Sequence, residues 1–145
     1  MGMLIEGKWL EDDAARRTGA DGSFVRPASV FRGRVVTQTH DESGAEFPAA
    51  AGRYHLFIAP SCPWAHRTLI FRALKKLESL ISVSIVEPYM DDHGWAFSAA
   101  LPDHIGGHQR LYEVYRAAVP DYTGRASVPV LWDKQRRTIV SNESS

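Results

Sequence analysis

The stretch RYHLFIAPSCPWAHRTLIFRALKKLESLISVSIVE, Arg53–Glu87, decides the fold. Arg53–Ala59 alternates and then turns apolar, the pattern of a buried strand. The segment Pro60–Trp64 (PSCPW) breaks it, and a helical run follows. Ala65, Leu69, Ile70, Ala73, Leu74 and Leu77 fall at helical spacing, with Arg67, Arg72, Lys75 and Lys76 among them. Ile81–Glu87 alternates strictly and is rich in β-branched residues, which predicts a second strand. Strand, helix and strand in this length form a βαβ unit with a right-handed crossover.

Downstream, Pro88–Gly107 is a polar excursion containing glycine, and Gln109–Ala118 predicts a second helix with Leu111, Val114, Tyr115 and Ala118 on one side. Ser127–Asp133 and Thr138–Val140 read as two strands of a hairpin that turns over Asp133–Arg137. The order β-α-β-α-β-β is that of an α/β, thioredoxin-like fold whose last helix is cut short. Ser141-Asn142-Glu143 has the cap and first-turn acid of that helix's start. Upstream, residues 1–52 are weakly periodic and are expected to be an extended arm and linker, with the incomplete thioredoxin-like domain at 53–145. The arginine-rich Ser23–Val35 is read as an arm laid on the domain, and His40–Gly52 as a linker or turn.

The chain has 145 residues, 44% hydrophobic and 23% charged, enough apolar content for one domain's core. Its 17 basic and 17 acidic side chains cancel, which removes the electrostatic case for a nucleic-acid or acidic-membrane partner. No apolar run approaches ~18 residues, and the start, with Glu6 and no basic leader, lacks a secretory signal. A soluble, cytoplasmic protein is expected. A lone cysteine, Cys62, excludes an intrachain disulfide and a cysteine zinc cluster. His104 and His108 are separated by two glycines that make a helix poor there, so no metal is expected. Asp91-Asp92-His93 reads as a solvated turn. The glycosylation sequon Asn142-Glu143-Ser144 has no secretory signal to give it meaning.

Cys62 lies between the first strand and its helix, and Pro63 suits the first helical position because its missing N–H costs nothing there. Cys62 is then the N-cap, facing free backbone N–H groups and the positive end of the helix dipole. That setting favours the thiolate, the nucleophilic form. His66 and Arg67 add positive potential, and Trp64 is a candidate wall of an aromatic pocket. Ala65 stands where a resolving thiol would sit, so an external thiol must resolve any adduct. Glutathione is the intracellular candidate. Val128-Pro129 opens the third strand, and a cis proline there would turn the Val128 backbone toward the thiol. A carboxylate at Glu143 and a hydroxyl at Ser144 suit the ammonium and carboxylate of a γ-glutamyl group.

SCPWAHRTLIFRALKKLE, GWAF, SVPVLWDKQRRTIVSNESS and the arm SFVRPASVFRG together resemble the glutathionyl-hydroquinone reductases, the Xi class of glutathione transferases. The likeness covers nearly the whole chain. It implies that Cys62 is the catalytic nucleophile, that Trp95 packs on glutathione, that Arg125 and Val128 contact its peptide, and that Glu143 and Ser144 hold its γ-glutamyl end. It implies reduction of glutathionyl-hydroquinones through a Cys62–glutathione mixed disulfide, with glutathione as co-substrate and no metal. Other cysteine-type enzymes, omega-like transferases and dehydroascorbate reductases, share that chemistry. A non-catalytic fragment that binds glutathione or a partner is the further alternative. Members of the resembled family continue into an all-helical domain and are expected to be homodimers. Against that pattern the present sequence is expected to lack the C-terminal helical domain and to have weak or no activity alone.

Overall fold

The computed structural model describes residues 2–11, 21–23, 28–38 and 44–144. In chain order its elements are β1 (Met3–Ile5), β2 (Lys8–Leu10), β3 (Arg34–Val36), β4 (Glu46–Pro48), β5 (Tyr54–Ile58), α1 (Pro63–Leu74), β6 (Ile81–Ile85), α2 (Leu111–Ala118), β7 (Val130–Asp133) and β8 (Thr138–Ser141). The last four strands of this series make one mixed sheet in the order β6-β5-β7-β8. β5 and β6 pair in parallel from Tyr54↔Ile81 to Ile58↔Ile85. β7 runs antiparallel to β5, Phe57 facing Val130, and β8 runs antiparallel to β7, Asp133 facing Thr138. This is the thioredoxin-like arrangement expected from the βαβ unit and the hairpin.

β5 is buried at every position, as its apolar run requires for a central strand. The core joins Phe57, Ile58, Val130, Trp132 and Ile139 of the sheet to Leu111, Val114 and Tyr115 of α2. One polar ring sits inside it. His55 is fully buried, with Nδ1 2.7 Å from Ser82 Oγ and Nε2 2.9 Å from Ser84 Oγ on the neighbouring strand.

Three features differ from the sequence reading. Of the six apolar positions that helical spacing marks, five lie on α1 and Leu77 falls past its end, and the helix buries only part of the five. Ala65 is buried and Leu69 packs against the core, whereas Ile70 and Leu74, with Trp64 and Phe71, are exposed. Apolar residues run round more than one side of this helix, so spacing alone does not choose the buried stripe. The second difference is that Glu46–Pro48, inside the expected linker, forms β4 and pairs in parallel with β3. Phe24–Pro27 of the expected arm and His40–Ser43 of the linker lie outside the described residues. The first residues also carry structure that their weak periodicity hides. β1 and β2 form a hairpin turned at Glu6 and Gly7, and Leu4 exchanges backbone hydrogen bonds with Gly124 and is fully buried. A Cβ on Gly7, at φ +72°, would meet the Pro120 carbonyl oxygen at 2.0 Å, so only glycine fits that approach.

Candidate functional site

The pairing directions bring distant segments to one end of the sheet. β5 and β6 both end there, β7 begins there, and β8, antiparallel to β7, delivers its last residues there. The residues singled out from the sequence all lie on segments leaving or entering that end: Cys62 after β5, Trp95 on the excursion after β6, Arg125 and Val128 before β7, and Glu143 and Ser144 after β8. In sheets with parallel strands the carboxyl ends are where ligands bind, because the loops there diverge.

Cys62 is the N-cap of α1, and Pro63 occupies the first helical turn. Its side chain is partly buried and makes no capping hydrogen bond to the helix. The sulfur turns instead toward the entering strand, its S–H donating to the Val128 carbonyl at 3.9 Å. The Val128–Pro129 peptide is cis. The neighbouring cation, Arg67, places its guanidinium 5.0 Å from the centre of the Trp64 ring, and Trp64 itself is exposed. Ser61 donates to the Pro88 carbonyl at 2.9 Å, which ties the turn before the thiol to the loop after β6.

Trp95 is half-buried against the core, and its carbonyl accepts from the N–H of Leu111 at the start of α2 at 3.0 Å. Arg125 is half-buried, and its carbonyl accepts from the Tyr122 hydroxyl at 3.4 Å. Glu143 and Ser144 are half-buried on the turn after β8. Glu143 N–H donates to Ser141 Oγ at 3.1 Å, and the Glu143 carboxylate accepts a hydrogen bond from Ser29. Asn142, on the same turn, donates from Nδ2 to the Tyr115 hydroxyl at 3.3 Å. That hydroxyl also donates to the Ser127 carbonyl at 2.7 Å, and burial pushes its pKa up. A buried tyrosine thus links the Val128 side of the site to the Glu143 side. Tyr115 was read from the sequence only as a position on one side of the second helix, and Ser29 was not singled out. Only the arginine-rich arm around Ser29 was, and that pattern assigns no role to its serine.

The remaining titratable motifs serve local structure. Asp103 accepts from the N–H groups of Ile105, Gly106 and His108 and lies 2.6 Å from His108 Nδ1. Burial pushes the Asp103 carboxyl up, but these bonds outweigh it and hold the group below its ordinary 3.8. Asp91 accepts from His93 N–H at 2.8 Å and from Arg110 at 2.7 Å, which closes a turn. A cavity of about 380 Å³ opens beside Phe97, Asp103, His108 and Arg110, and Cys62 does not line it.

Fold and site together define a thioredoxin-like domain that presents one thiol at the start of its first helix. The chain belongs to the glutathione S-transferase family: the model of the glutathione S-transferase N-terminal domain matches residues 61–145. Over its whole length the chain is 47% identical to the glutathionyl-hydroquinone reductase PcpF of Sphingobium chlorophenolicum and 45% identical to the glutathionyl-hydroquinone reductase YqjG of Escherichia coli. It is 41% identical, over 86% of its length, to a glutathione S-transferase omega-like 2 of Schizosaccharomyces pombe. It spans 44% and 46% of the first two relatives, less than half of each. Among solved structures, it superposes on the Xi class transferase of Natrialba magadii with a TM-score of 0.83 at 43% identity, covering 99% of this chain and 42% of that one. The glutathione-bound structure of E. coli YqjG matches at a TM-score of 0.80 and 41% identity, with the same coverage. The resemblance to the glutathionyl-hydroquinone reductases, read first from CPWAHRT and TIVSNES, therefore holds along the full chain. No helix among the described residues is long and apolar enough to cross a membrane.

Proposed function

We propose that this chain carries the glutathione site of a glutathionyl-hydroquinone reductase, with Cys62 as nucleophile. The observation that supports it is the lone thiol at the start of α1, 3.9 Å from the backbone carbonyl of Val128. A thiol so placed reacts beside a backbone acceptor of the entering strand, which suits a peptide substrate bound along that strand. The Cys62 thiolate attacks the glutathione sulfur of the substrate. The carbon–sulfur bond breaks, its electron pair stays with the ring carbon, and that carbon takes a proton. The products are the hydroquinone and a Cys62–glutathione disulfide. A second glutathione thiolate attacks that disulfide, releasing glutathione disulfide and the Cys62 thiolate. The sequence holds no second cysteine, so the external thiol completes the cycle.

In this reading Trp95 packs on glutathione, Val128 pairs with its cysteinyl backbone and Arg125 contacts its peptide. Glu143 binds the γ-glutamyl ammonium, and Ser144 its carboxylate. The whole protein acts as a homodimer in the reducing cytoplasm, where thiols persist. Mass spectrometry tests the first step. The chain, mixed with a glutathionyl-hydroquinone, should gain one glutathione on Cys62, release the hydroquinone, and lose the adduct when free glutathione is added. Cys62→Ser should form none. An adduct formed from dehydroascorbate plus glutathione but not from the glutathionyl-hydroquinone would favour the omega-like alternative. No adduct from either, even at the slow rate expected of this chain alone, would sink the catalytic reading.

A further inference from the structure

Glu143 is not left to orient itself. Ser29, 114 positions earlier in the chain, donates its hydroxyl hydrogen to Glu143 Oε1. The segment that carries Ser29 is anchored at several points. Asn142 N–H donates to the Phe31 carbonyl at 3.3 Å, and Arg32 and Ser141 form an antiparallel bridge. The Phe31 ring is 9% exposed and packs on Tyr115 and Tyr122, with centroids 5.9 and 5.5 Å away. Tyr115 in turn bonds Asn142 and Ser127. The segment after β8 is thus fastened both to the second helix and to the N-terminal segment.

A carboxylate has two oxygens and about four acceptor positions. A donor fixed on Oε1 restricts the side chain's torsions and leaves Oε2 for an incoming cation. A bound ligand then meets an acceptor already oriented, and loses less rotamer freedom on binding. We propose that Ser29 is a positioning residue of the γ-glutamyl subsite. Its hydroxyl holds the Glu143 carboxylate in the orientation that receives the ligand's α-ammonium, which makes the N-terminal segment one wall of the glutathione site. This inference rests on the glutathione reading above and adds to it a residue outside the region matched by the family model.

Titration calorimetry on the full chain tests it with two peptides, glutathione and glutaryl-cysteinyl-glycine, which lacks only the α-ammonium. Ser29→Ala should weaken glutathione binding about three- to tenfold, the range for one net hydrogen bond. It should leave the affinity for the deamino peptide unchanged. Ser29→Thr, which keeps the hydroxyl, should restore binding. In a Glu143→Gln background, Ser29→Ala should have a much smaller effect. Equal losses for both peptides, or no rescue by threonine, would show that the segment only supports the fold and would overturn the proposal. If the unaltered chain prefers glutathione and Ser29→Ala prefers it by the same factor, Ser29 has no such role while the γ-glutamyl site stands. If the unaltered chain does not distinguish the peptides, the assignment of Glu143 fails and this proposal with it.

Discussion

His55 sets one part of the molecule's response to acid. It is fully buried on β5, and both ring nitrogens contact serine hydroxyls of β6. Burial pushes its pKa from the ordinary 6.5 down to about 4, against the nearby Asp103 charge, which acts the other way; Lys134 and His104 add to the depression. The native state keeps the ring neutral, whereas the unfolded chain protonates it below 6.5. The group's contribution to stability is therefore complete above pH 6.5, falls as the pH drops toward 4, and is level below that. The interval between those two values corresponds to a loss on the order of 3 kcal/mol. Asp103 and Asp133, both held below the ordinary 3.8, weaken the fold only at lower pH. Urea unfolding at pH 7 and pH 5 should show the loss, and His55→Gln should flatten the difference. An unchanged pH slope in that variant would assign the acid response elsewhere. The placement of His55 was not legible in the sequence. A histidine in an apolar run signals burial, but Ser82 and Ser84 become its partners only when β6 docks in register.

The hairpin of β7 and β8 depends on one carboxylate. Asp133 is fully buried, accepts from Arg53 Nε at 2.9 Å and Nη2 at 2.5 Å, and takes the N–H groups of Gln135 and Arg136 at the turn. Burial pushes the Asp133 carboxyl up, but the bonds from Arg53 and the turn outweigh it and hold it down. Asp133→Ala should cost about 3–5 kcal/mol, because it leaves the Arg53 guanidinium, 9% exposed, without its counter-charge. Urea denaturation reads that directly, and a loss under about 1 kcal/mol would mean water reaches Arg53 freely. The hairpin itself was legible, since TIV and VLWD flank a polar turn. The thiol's place at the start of α1 was legible for the same reason: Cys62 and Pro63 act within one turn of chain. β4 was not legible. Three residues ending in proline carry no strand pattern and pair only because β3 lies beside them.

At the scale of the molecule, the N-terminal residues and the βαβ unit share one interior. Leu4 and Phe31 sit in the same cluster as Phe57, Val130 and Tyr115. The outward side of α1 is the opposite case: Trp64, Ile70, Phe71 and Leu74 are 47–71% exposed. Apolar groups at such positions add little to the stability of this chain, yet they offer a surface that binds hydrophobic dyes. Phe71→Lys with Leu74→Lys should lower the fluorescence of a bound naphthalene-sulfonate dye severalfold. The unfolding free energy from urea denaturation should change by no more than about 0.5 kcal/mol. A large destabilisation would show that these side chains pack more tightly than their exposure indicates.

The sequence by itself determined the elements and the chemistry that reside in short range: the buried run of β5, the cysteine and proline at the start of α1, the hairpin, and a family likeness carried by contiguous motifs. Those features depend on neighbours within a few residues, so they can be read along the chain. The tertiary structure decided which stripe of α1 is buried, where the Cys62 sulfur points, and which side chains meet across long separations. Ser29 reaches Glu143, and His55 reaches Ser82 and Ser84, only because sheet pairing and the packing of Phe31 close those distances.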